Sequence, residues 1–474
     1  MSYSLISPCR LLFNLRCRAN SLAGIGLAVF GLMLVNAVGL GLVQAAQPTT
    51  APEVVLPSAH NQAAAIAANR RLGVGVNLGF ALEQAIYVAR SKAPGCQSSF
   101  RRKSAETKPY EAQNYAAWIQ TNEFWQSDFM RKFDSVRLPV AWNLYRCSDG
   151  KLDADYLDLV KRVVTLATKN GFVVVLDLHE FNKELRDNPD SVKLKDQFTE
   201  IWRHIAENFG EFSARELYFD ILNEPQRKKK GSPHLADFCE KHWLDYAVAA
   251  ADVIASETAG ANAENANRPL LIAACNPDDW KDIAARLGAI LNVLRTPKNG
   301  RPRTNPMIAT FHYYDPSDVT HWRQRCSVAK KGRKPPPCGC AGNAADNQPA
   351  LLDNAHKCVK KNGKPVPYDS ERWRKNNKKR FEAVAQFGDT FQVPINLGEF
   401  GYEGYLSEKS HPDLEVSKKL LADARVTWVK DIRDRAIQYK MSYTYWNLFA
   451  SFGYVSQGRD VADKMLHDAL RAPR

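Results

Sequence analysis

The sequence has no series of long apolar segments, no internal repeat of solenoid period and no extreme composition. Its 474 residues are 45% hydrophobic and 24% charged. This mixture excludes a disordered chain, a collagen-like fibre and a polytopic membrane protein. The chain is long enough to bury a large globular core, either as two or three average domains or as one enlarged barrel.

Short motifs that bind cofactors or metals are also missing. Residues 73–79 read GVGVNLG, in which the third glycine is misplaced for the G-x-G-x-x-G turn of a dinucleotide-binding sheet. The sequence contains no H-x-H or H-E-x-x-H pair, and its cysteines do not form the C-x-x-C pairs that are usual for structural zinc. We therefore expect no cofactor and no metal.

One long uncharged run lies near the N-terminus. The first 20 residues contain three arginines and no acidic residue, and residues 21–43 carry no charge. This pattern predicts that residues 1–46 are an export signal, either a signal peptide or an uncleaved N-terminal membrane anchor. The small residues at 43–46 favour cleavage. Residues 47–69 are rich in Ala, Pro, Thr and Gln, and we expect a linker there.

The cysteines outside the leader are even in number, which on an exported chain favours disulfides over metal ligands. These eight residues are Cys96, Cys147, Cys239, Cys275, Cys326, Cys338, Cys340 and Cys358. Four of them lie in the Lys/Pro/Gly-rich segment 326–358, which we interpret as a disulfide-stapled loop, with a zinc knuckle as the weaker alternative. The sequence leaves the pairing open.

Short apolar runs alternate with helical patterns along the rest of the chain. Strands are predicted at 73–78, 135–138, 172–178, 217–222, 269–274, 307–311, 393–397 and 442–446, and helices at 155–168, 192–209, 235–255 and 417–438. Nearly continuous apolar strands are typical of parallel sheets covered on both faces. We therefore predict an α/β fold over residues 70–474, a (β/α)8 TIM barrel with large insertions in the loops after strands 1 and 6, at about 80–112 and 315–367.

Two glutamates follow predicted strands on opposite sides of such a barrel. Asn223, Glu224 and Pro225 come after the fourth strand, and Glu399 lies in a GEFG segment at the seventh. Active sites of these barrels lie at the carboxyl ends of the strands. A pair of carboxylates there, one protonated with a raised pKa and one ionised, is what glycoside hydrolysis needs.

Other strand ends supply groups that suit this chemistry. Arg137 could orient and stabilise a carboxylate, Tyr314 could donate a hydrogen bond to one, and Trp446 offers a flat apolar face for a sugar ring. Two histidines, His179 and His312, end the third and sixth strands. Each residue taken singly is more often part of a core, but all of them lie at the same end of successive strands.

Taken together, the motifs RLP, NEP, H-x-Y, GEFG and the final Trp resemble glycoside hydrolase family 5, the cellulase family of retaining barrel glycosidases. The resemblance covers roughly residues 70–470. It implies that Glu224 is the acid/base and Glu399 the nucleophile, supported by Arg137, His179, Asn223, His312, Tyr314 and Trp446. The segment GVGVNLGFALE resembles the family's first strand, although Phe80 stands where a polar residue is common.

The resemblance implies an endo-β-1,4-glucanase, with β-1,3-glucan, mixed-linkage glucan and β-mannan as alternative substrates. Two readings from other classes stay open: a non-catalytic carbohydrate-binding barrel, and a metal-dependent hydrolase built on His179 and His312. Trp142, Trp280 and Trp322 follow strands and could be sugar platforms or could pack under loops.

The net charge of +14 is concentrated in two places. The leader contributes three arginines, and residues 323–380 hold 16 Lys and Arg against four acids. The barrel itself is therefore close to neutral, which argues against a nucleic-acid partner. We expect an exported protein, periplasmic, extracellular or anchored facing outside, whose basic insertion contacts anionic envelope polymers.

Overall fold

The computed structural model describes most of the chain that follows the leader. The described residues are 54–83, 115–181, 184–185, 191–225, 238, 242–257, 260–273, 283–297, 303–315, 320–321, 360–361, 364–365, 370–403, 414–454 and 464–471. They belong to one compact unit, Pro52–Arg474. The predicted leader at 1–46 lies outside the described residues.

Eight parallel strands close into a barrel. They are β1 (Val74–Asn77), β2 (Ser135–Leu138), β3 (Val173–Asp177), β4 (Leu217–Asp220), β5 (Leu270–Ala273), β6 (Met307–Tyr313), β7 (Ile395–Phe400) and β8 (Ser442–Tyr445). Each strand pairs with the next along the chain, and β8 pairs with β1. Almost every strand residue is buried, which explains the nearly continuous apolar runs. The predicted TIM barrel is confirmed.

Helices surround these strands. They are α1 (Ala59–Leu72), α2 (Asn122–Gln126), α3 (Ala154–Lys169), α4 (Ser191–Phe209), α5 (Trp243–Ser256), α6 (Ile283–Arg295), α7 (Ser370–Phe391), α8 (Leu414–Gln438) and α9 (Lys464–Leu470). Helix α3 shows how the sequence specifies them: the Asp153 side chain caps its first turn, and Val160, Val163 and Val164 form the buried face. Within the predicted helix at 235–255, α5 covers Trp243–Ser256.

The linker predicted at 47–69 is wrong from residue 59 onward, because α1 occupies Ala59–Leu72. The alanines that suggested a linker are strong helix formers, and the Ser58 side chain accepts a hydrogen bond from the backbone of the first turn. Their small side chains let α1 pack closely against the amino-terminal end of the barrel. There Ala68 and Leu72 join a buried cluster formed by residues near the starts of four strands, Val173, Val175, Tyr218, Leu271 and Ile308.

Most of both predicted insertions lies outside the described residues. Of the second, the structure describes Asp315, residues 320–321 and a two-stranded antiparallel ribbon, Lys360–Lys361 and Lys364–Pro365. Among the eight cysteines of the proposed framework, only Cys147 is described, so the disulfide network stays a prediction. In the described part of the chain, no helix is both long and apolar enough to cross a membrane.

A fully buried arginine, Arg268, fixes the entry to β5. Its guanidinium donates to the Asn265 side chain at 2.8 Å and to the backbone carbonyls of Leu217 at 2.9 Å and Phe212 at 2.8 Å. The ring of Phe219 lies 4.9 Å from its Cζ atom, and burial lowers the pKa of Arg268 to about 10. This side chain therefore connects the start of β4 and the turn after α4 with the start of β5.

We expect Arg268→Met to lower the free energy of unfolding by about 3 kcal/mol, because it leaves several buried carbonyls without a donor. Urea denaturation followed by circular dichroism measures this loss. The exposed Arg215 provides a matched control, since Arg215→Met should change stability by less than about 0.5 kcal/mol. Equal effects of the two substitutions would contradict the structural role of Arg268.

Candidate active site

The structure brings all eight predicted site residues to the carboxyl ends of the strands. Arg137 lies in β2, His312 in β6 and Glu399 in β7, while the other residues follow their strands by one to four positions. Parallel strands present their carboxyl ends at one face of the barrel, so side chains far apart in sequence meet there. The remaining five are His179, Asn223, Glu224, Tyr314 and Trp446.

Arg137 is the centre of the site. It is 1% exposed, and with the described residues its guanidinium makes four hydrogen bonds and a close ion pair. The Nε–H donates to Asp220 Oδ2 at 3.0 Å, Nη1 donates to Asn77 Oδ1 at 3.1 Å and Glu399 Oε1 at 2.6 Å, and Nη2 donates to Asn223 Oδ1 at 2.9 Å. Nη2 also lies 2.6 Å from Asp177 Oδ2 in an ion pair. One guanidinium therefore orders side chains from β1, β3, β4 and β7.

Three of these partners, Asn77, Asp177 and Asp220, were not predicted as site residues. Each is a polar residue at the end of an apolar strand, and each is at most 1% exposed. A buried carboxylate needs a compensating cation or several donors. The signal in the sequence was therefore an acidic residue at the end of an otherwise apolar strand, as in VVVLD and LYFD.

Glu399 is held from two sides. Its Oε1 accepts from Arg137, and its Oε2 accepts the Tyr314 hydroxyl at 2.8 Å. Burial and the two nearby glutamates raise the pKa of Tyr314 well above its usual range, so the phenol keeps its proton and remains a donor. With 4% of its surface exposed, Glu399 is a fixed carboxylate.

Glu224 lies at the rim, and its side chain is 32% exposed. Its backbone adopts the left-handed region, with φ of 43°. Its Oε1 lies 3.0 Å from His312 Nδ1, and the same nitrogen lies 3.4 Å from Glu399 Oε2. The histidine thus bridges the two glutamates.

The expected rise in the pKa of Glu224 is wrong for this structure. Burial does raise its pKa, but the hydrogen bond and charge of His312, with His179 and Arg137 nearby, outweigh burial and lower it below the ordinary value. The sequence offered no sign of this, because His312 lies 88 positions away along the chain.

His179 and Trp446 form one wall of the site. His179 Nδ1 lies 3.0 Å from Asp177 Oδ2; burial lowers its pKa, but Asp177 more than offsets this and raises the pKa of His179 to about 9. The imidazole is therefore a cation at neutral pH. Its ring is parallel to that of Trp446, with centroids 5.6 Å apart and planes 2° apart.

The wall continues to Phe80, whose ring lies 6.2 Å from that of Trp446. Two glycines allow the wall to form. A Cβ at Gly79 would lie 2.8 Å from the indole of Trp446, and a Cβ at Gly401 would collide with the Trp446 carbonyl oxygen. The second glycine of GEFG is thus required by the approach of β7 to the residue that follows β8.

The described residues also bear on two other interpretations of the sequence, a metal-dependent hydrolase and tryptophans that act as sugar platforms. The ligand atoms of Glu224, His312 and Glu399 lie within 4.8 Å of one another, a spacing that can also hold a metal ion, and His179 is not part of this group. Trp142 is no sugar platform, because it is fully buried and its Nε1 donates to the Asp177 carbonyl at 3.0 Å. Trp280 and Trp322 lie outside the described residues.

Comparison with known proteins agrees with this geometry. A family model described as cellulase (glycosyl hydrolase family 5) matches residues 101–451. Endoglucanase H of Acetivibrio thermocellus is 23% identical over 384 residues, which are 80% of this chain and 30% of that protein. Endoglucanase A of Ruminococcus albus is 31% identical over 116 residues, 24% of this chain and 31% of that protein. The matches thus span about a third of the length of these relatives.

Solved structures share the fold. A hyperthermophilic endo-β-1,4-glucanase in complex with substrate is 23% identical with a TM-score of 0.55, over 86% of this chain and 99% of that chain. Cel5A of Thermotoga maritima in complex with mannotriose is 21% identical with a TM-score of 0.55, over 86% of this chain and 100% of that chain. The barrel, its strand-end glutamates and the family match over residues 101–451 together establish that the chain belongs to the cellulase family, glycosyl hydrolase family 5.

Proposed function

We propose that this protein is a retaining endo-β-1,4-glucanase that cleaves by double displacement. The observation that carries the proposal is the spacing of Glu224 and Glu399, whose facing oxygens lie within 4.8 Å of each other. Retaining glycosidases hold their two carboxyl groups about 5 Å apart, whereas inverting enzymes leave room for a water molecule between them. The close pair therefore supports retention of configuration.

In the first step Glu399 attacks the anomeric carbon while Glu224 donates its proton to the departing glycosidic oxygen. The ester of Glu399 is the covalent intermediate, and the leaving sugar departs with the proton of Glu224. In the second step Glu224, now ionised, removes a proton from water, which displaces Glu399. Rigid support of Glu399 by Arg137 and Tyr314 suits the nucleophile, and the partly exposed rim position of Glu224 suits a group that meets both leaving group and water.

We propose that the Asn223 side chain forms a hydrogen bond with the 2-hydroxyl of the reacting sugar. Its Oδ1 accepts from Arg137 at 2.9 Å, which fixes the amide so that its nitrogen side faces away from the guanidinium. A hydrogen bond to the 2-hydroxyl strengthens as the transition state forms. The stacked rings of His179 and Trp446 would then carry the apolar face of a neighbouring sugar.

The names of the relatives support a β-glucan as substrate, and one structural neighbour was solved with mannotriose. A β-1,4-glucan is our first choice, with β-1,3-glucan, mixed-linkage glucan and β-mannan as alternatives. Reducing-end release from each polymer, with chain lengths of the products analysed by chromatography, ranks the substrates and separates endo from exo action. Binding without turnover on every polymer would favour a non-catalytic carbohydrate-binding barrel, and activity lost to a chelator would favour a metal-dependent hydrolase.

We also propose that the protein is exported and that its basic segment, residues 323–380, contacts anionic envelope polymers. Within this segment α7 presents four exposed cations, Arg374, Lys375, Lys378 and Lys379. Lys378 lies 3.6 Å from Glu382 in an exposed pair, so that interaction is weak. Clustered cations on one helix face attract an extended polyanion through their summed potential.

Replacing either glutamate should remove turnover and keep the fold. We expect Glu224→Gln to lower kcat on cellulose oligomers by about 10²- to 10⁴-fold, because the general acid is lost. Glu399→Gln should abolish the covalent step. The matched control is Glu180→Gln, at an exposed position beside His179, which should stay close to wild type in the same assay.

An aryl glycoside with an acidic phenol as leaving group separates the two roles. Glu224→Gln should still release a burst of phenol, because that leaving group needs no proton, whereas Glu399→Gln should release none. Near-normal turnover in either variant would contradict the assignment. Inversion of the product anomer, followed by proton NMR, would contradict the mechanism.

The low pKa of Glu224 predicts an acidic pH optimum. Free enzyme must carry the proton on Glu224, so kcat/KM should fall as the pH rises through the pKa of this group. Substituting His312→Ala removes the donor that lowers this pKa, so the alkaline limb of kcat/KM should move to higher pH. His312→Asn, which keeps a donor near the position of Nδ1, should move it less; no shift in either variant would show that His312 does not set this pKa.

Neutralising the exposed face of α7 should weaken binding to an acidic polysaccharide. We expect the quadruple variant with Gln at 374, 375, 378 and 379 to lose affinity for polygalacturonate, with a smaller salt dependence of binding. A control variant with Gln at four exposed cations elsewhere, Lys132, Lys151, Lys169 and Arg215, should bind as the wild type does. Equal binding by all three proteins would refute the proposal.

A further inference from the structure

Three carboxylates share the single guanidinium of Arg137. Asp177 Oδ2 lies 2.6 Å from Nη2 in an ion pair, while Asp220 accepts from Nε at 3.0 Å and Glu399 accepts from Nη1 at 2.6 Å. They come from β3, β4 and β7, and Asp177 and Asp220 are direct neighbours in the register of the sheet. One cation cannot offset three buried anions at such distances, so the carboxylates compete for it.

The three carboxylates are not supported equally. Asp177 also accepts the Val140 backbone N–H at 3.0 Å and lies 3.0 Å from the protonated His179. Glu399 also accepts the Tyr314 hydroxyl at 2.8 Å and lies 3.4 Å from His312.

Asp220 has the weakest support. Among the described residues, its Oδ2 accepts a single hydrogen bond, from the Nε–H of Arg137. Its Oδ1 is buried and has no hydrogen-bond partner among the described residues. The side chain as a whole is 1% exposed, so Asp220 is shielded from bulk solvent.

A buried carboxylate that lacks donors is the first of a group to take up a proton. We propose that Asp220 holds the proton of the Arg137 cluster, and that it is a positioning residue which leaves the guanidinium to Asp177 and Glu399. A proton on Oδ1 keeps Oδ2 free to accept from Nε, so the hydrogen bond to Arg137 is retained. The functional part of this inference rests on the proposed role of Glu399 as nucleophile.

The groups that face Asp220 agree with this assignment. Burial raises its pKa and Asp177 adds to the rise, while Arg137 and His312 lower it, with a resulting pKa of about 6. Glu399 lies across the guanidinium from it, and the neighbouring strand β5 presents an apolar residue, Leu271, in register. Asp177 differs, because the same guanidinium and His179 lower its pKa in spite of its burial.

The two aspartates should therefore have opposite effects on the pH dependence of folding stability. Asp220 has a raised pKa in the folded state, from 3.8 to about 6, so its ionisation destabilises the fold progressively between these two pH values, and the full loss is present above about pH 6. Asp177 has a lowered pKa, so its ionisation favours folding above the pKa of the unfolded chain and this gain is lost in acid.

The experiment compares Asp220→Asn with Asp177→Asn in thermal and urea denaturation between pH 4 and pH 8. The amide of Asp220→Asn mimics the protonated acid, so the folding equilibrium constant of this variant should rise relative to wild type by up to about 100-fold as the pH increases across this range. Asp177→Asn should show the opposite trend, with its largest loss at neutral pH. A constant difference between Asp220→Asn and wild type would overturn the proposal.

Two further measurements extend the test, and the first needs neither catalytic activity nor a variant. If Asp220→Asn does not fold, carboxyl ¹³C NMR of aspartate-labelled wild type should show a buried aspartate that titrates near pH 6, and its absence would overturn the proposal. In active enzyme, the acid limb of kcat/KM should stay in place in Asp220→Asn and move to lower pH in Asp177→Asn, because only Asp177→Asn removes an anion from the Arg137 cluster in acid. Inactive but folded wild type would refute the proposed function and leave the stability test intact.

Discussion

The burial of one guanidinium determines how this barrel is built. Arg137 cannot lose its charge in a protein, so its burial at the carboxyl end of the barrel requires acceptors and opposite charges around it. Asn77, Asp220, Asn223 and Glu399 accept its hydrogen bonds, and Asp177 forms an ion pair with it. Their side chains are thereby fixed in direction, and the carboxylate proposed as nucleophile is positioned by the same contacts that satisfy the arginine.

This arrangement separates the two glutamates by environment. Glu399 is enclosed, with both oxygens bonded to donors that belong to the barrel. Glu224 stands at the edge, bonded to His312 and partly open to solvent. A nucleophile gains from a fixed position, because a small misplacement from the anomeric carbon is costly. An acid that later becomes a base gains from a position that both leaving group and water can reach.

The strands and the strand-end residues were predictable from the sequence, because apolar runs and short motifs report them directly. Asp177 and Asp220 were not, since a single acid in an apolar run has no motif and its partner Arg137 lies 83 positions from Asp220. The pKa of Glu224 was missed for the same reason. The helix at Ala59–Leu72 was missed because alanine-rich composition is shared by linkers and by helices that pack closely.

Binding and chemistry are assigned to different parts of the same surface. The floor of the site is ionic and closed, with Arg137 bonded to four acceptors and paired with Asp177, so it has little freedom to adapt to one sugar or another. The wall is aromatic, and Trp446 is held there by the close approach of Gly79 and Gly401 while Phe80 extends it. Ring stacking tolerates changes in hydroxyl orientation better than hydrogen bonding does. Under the proposed function, selection among β-glycans would depend on the rim around Phe80 and Trp446, whereas the reaction would depend on the network around Arg137.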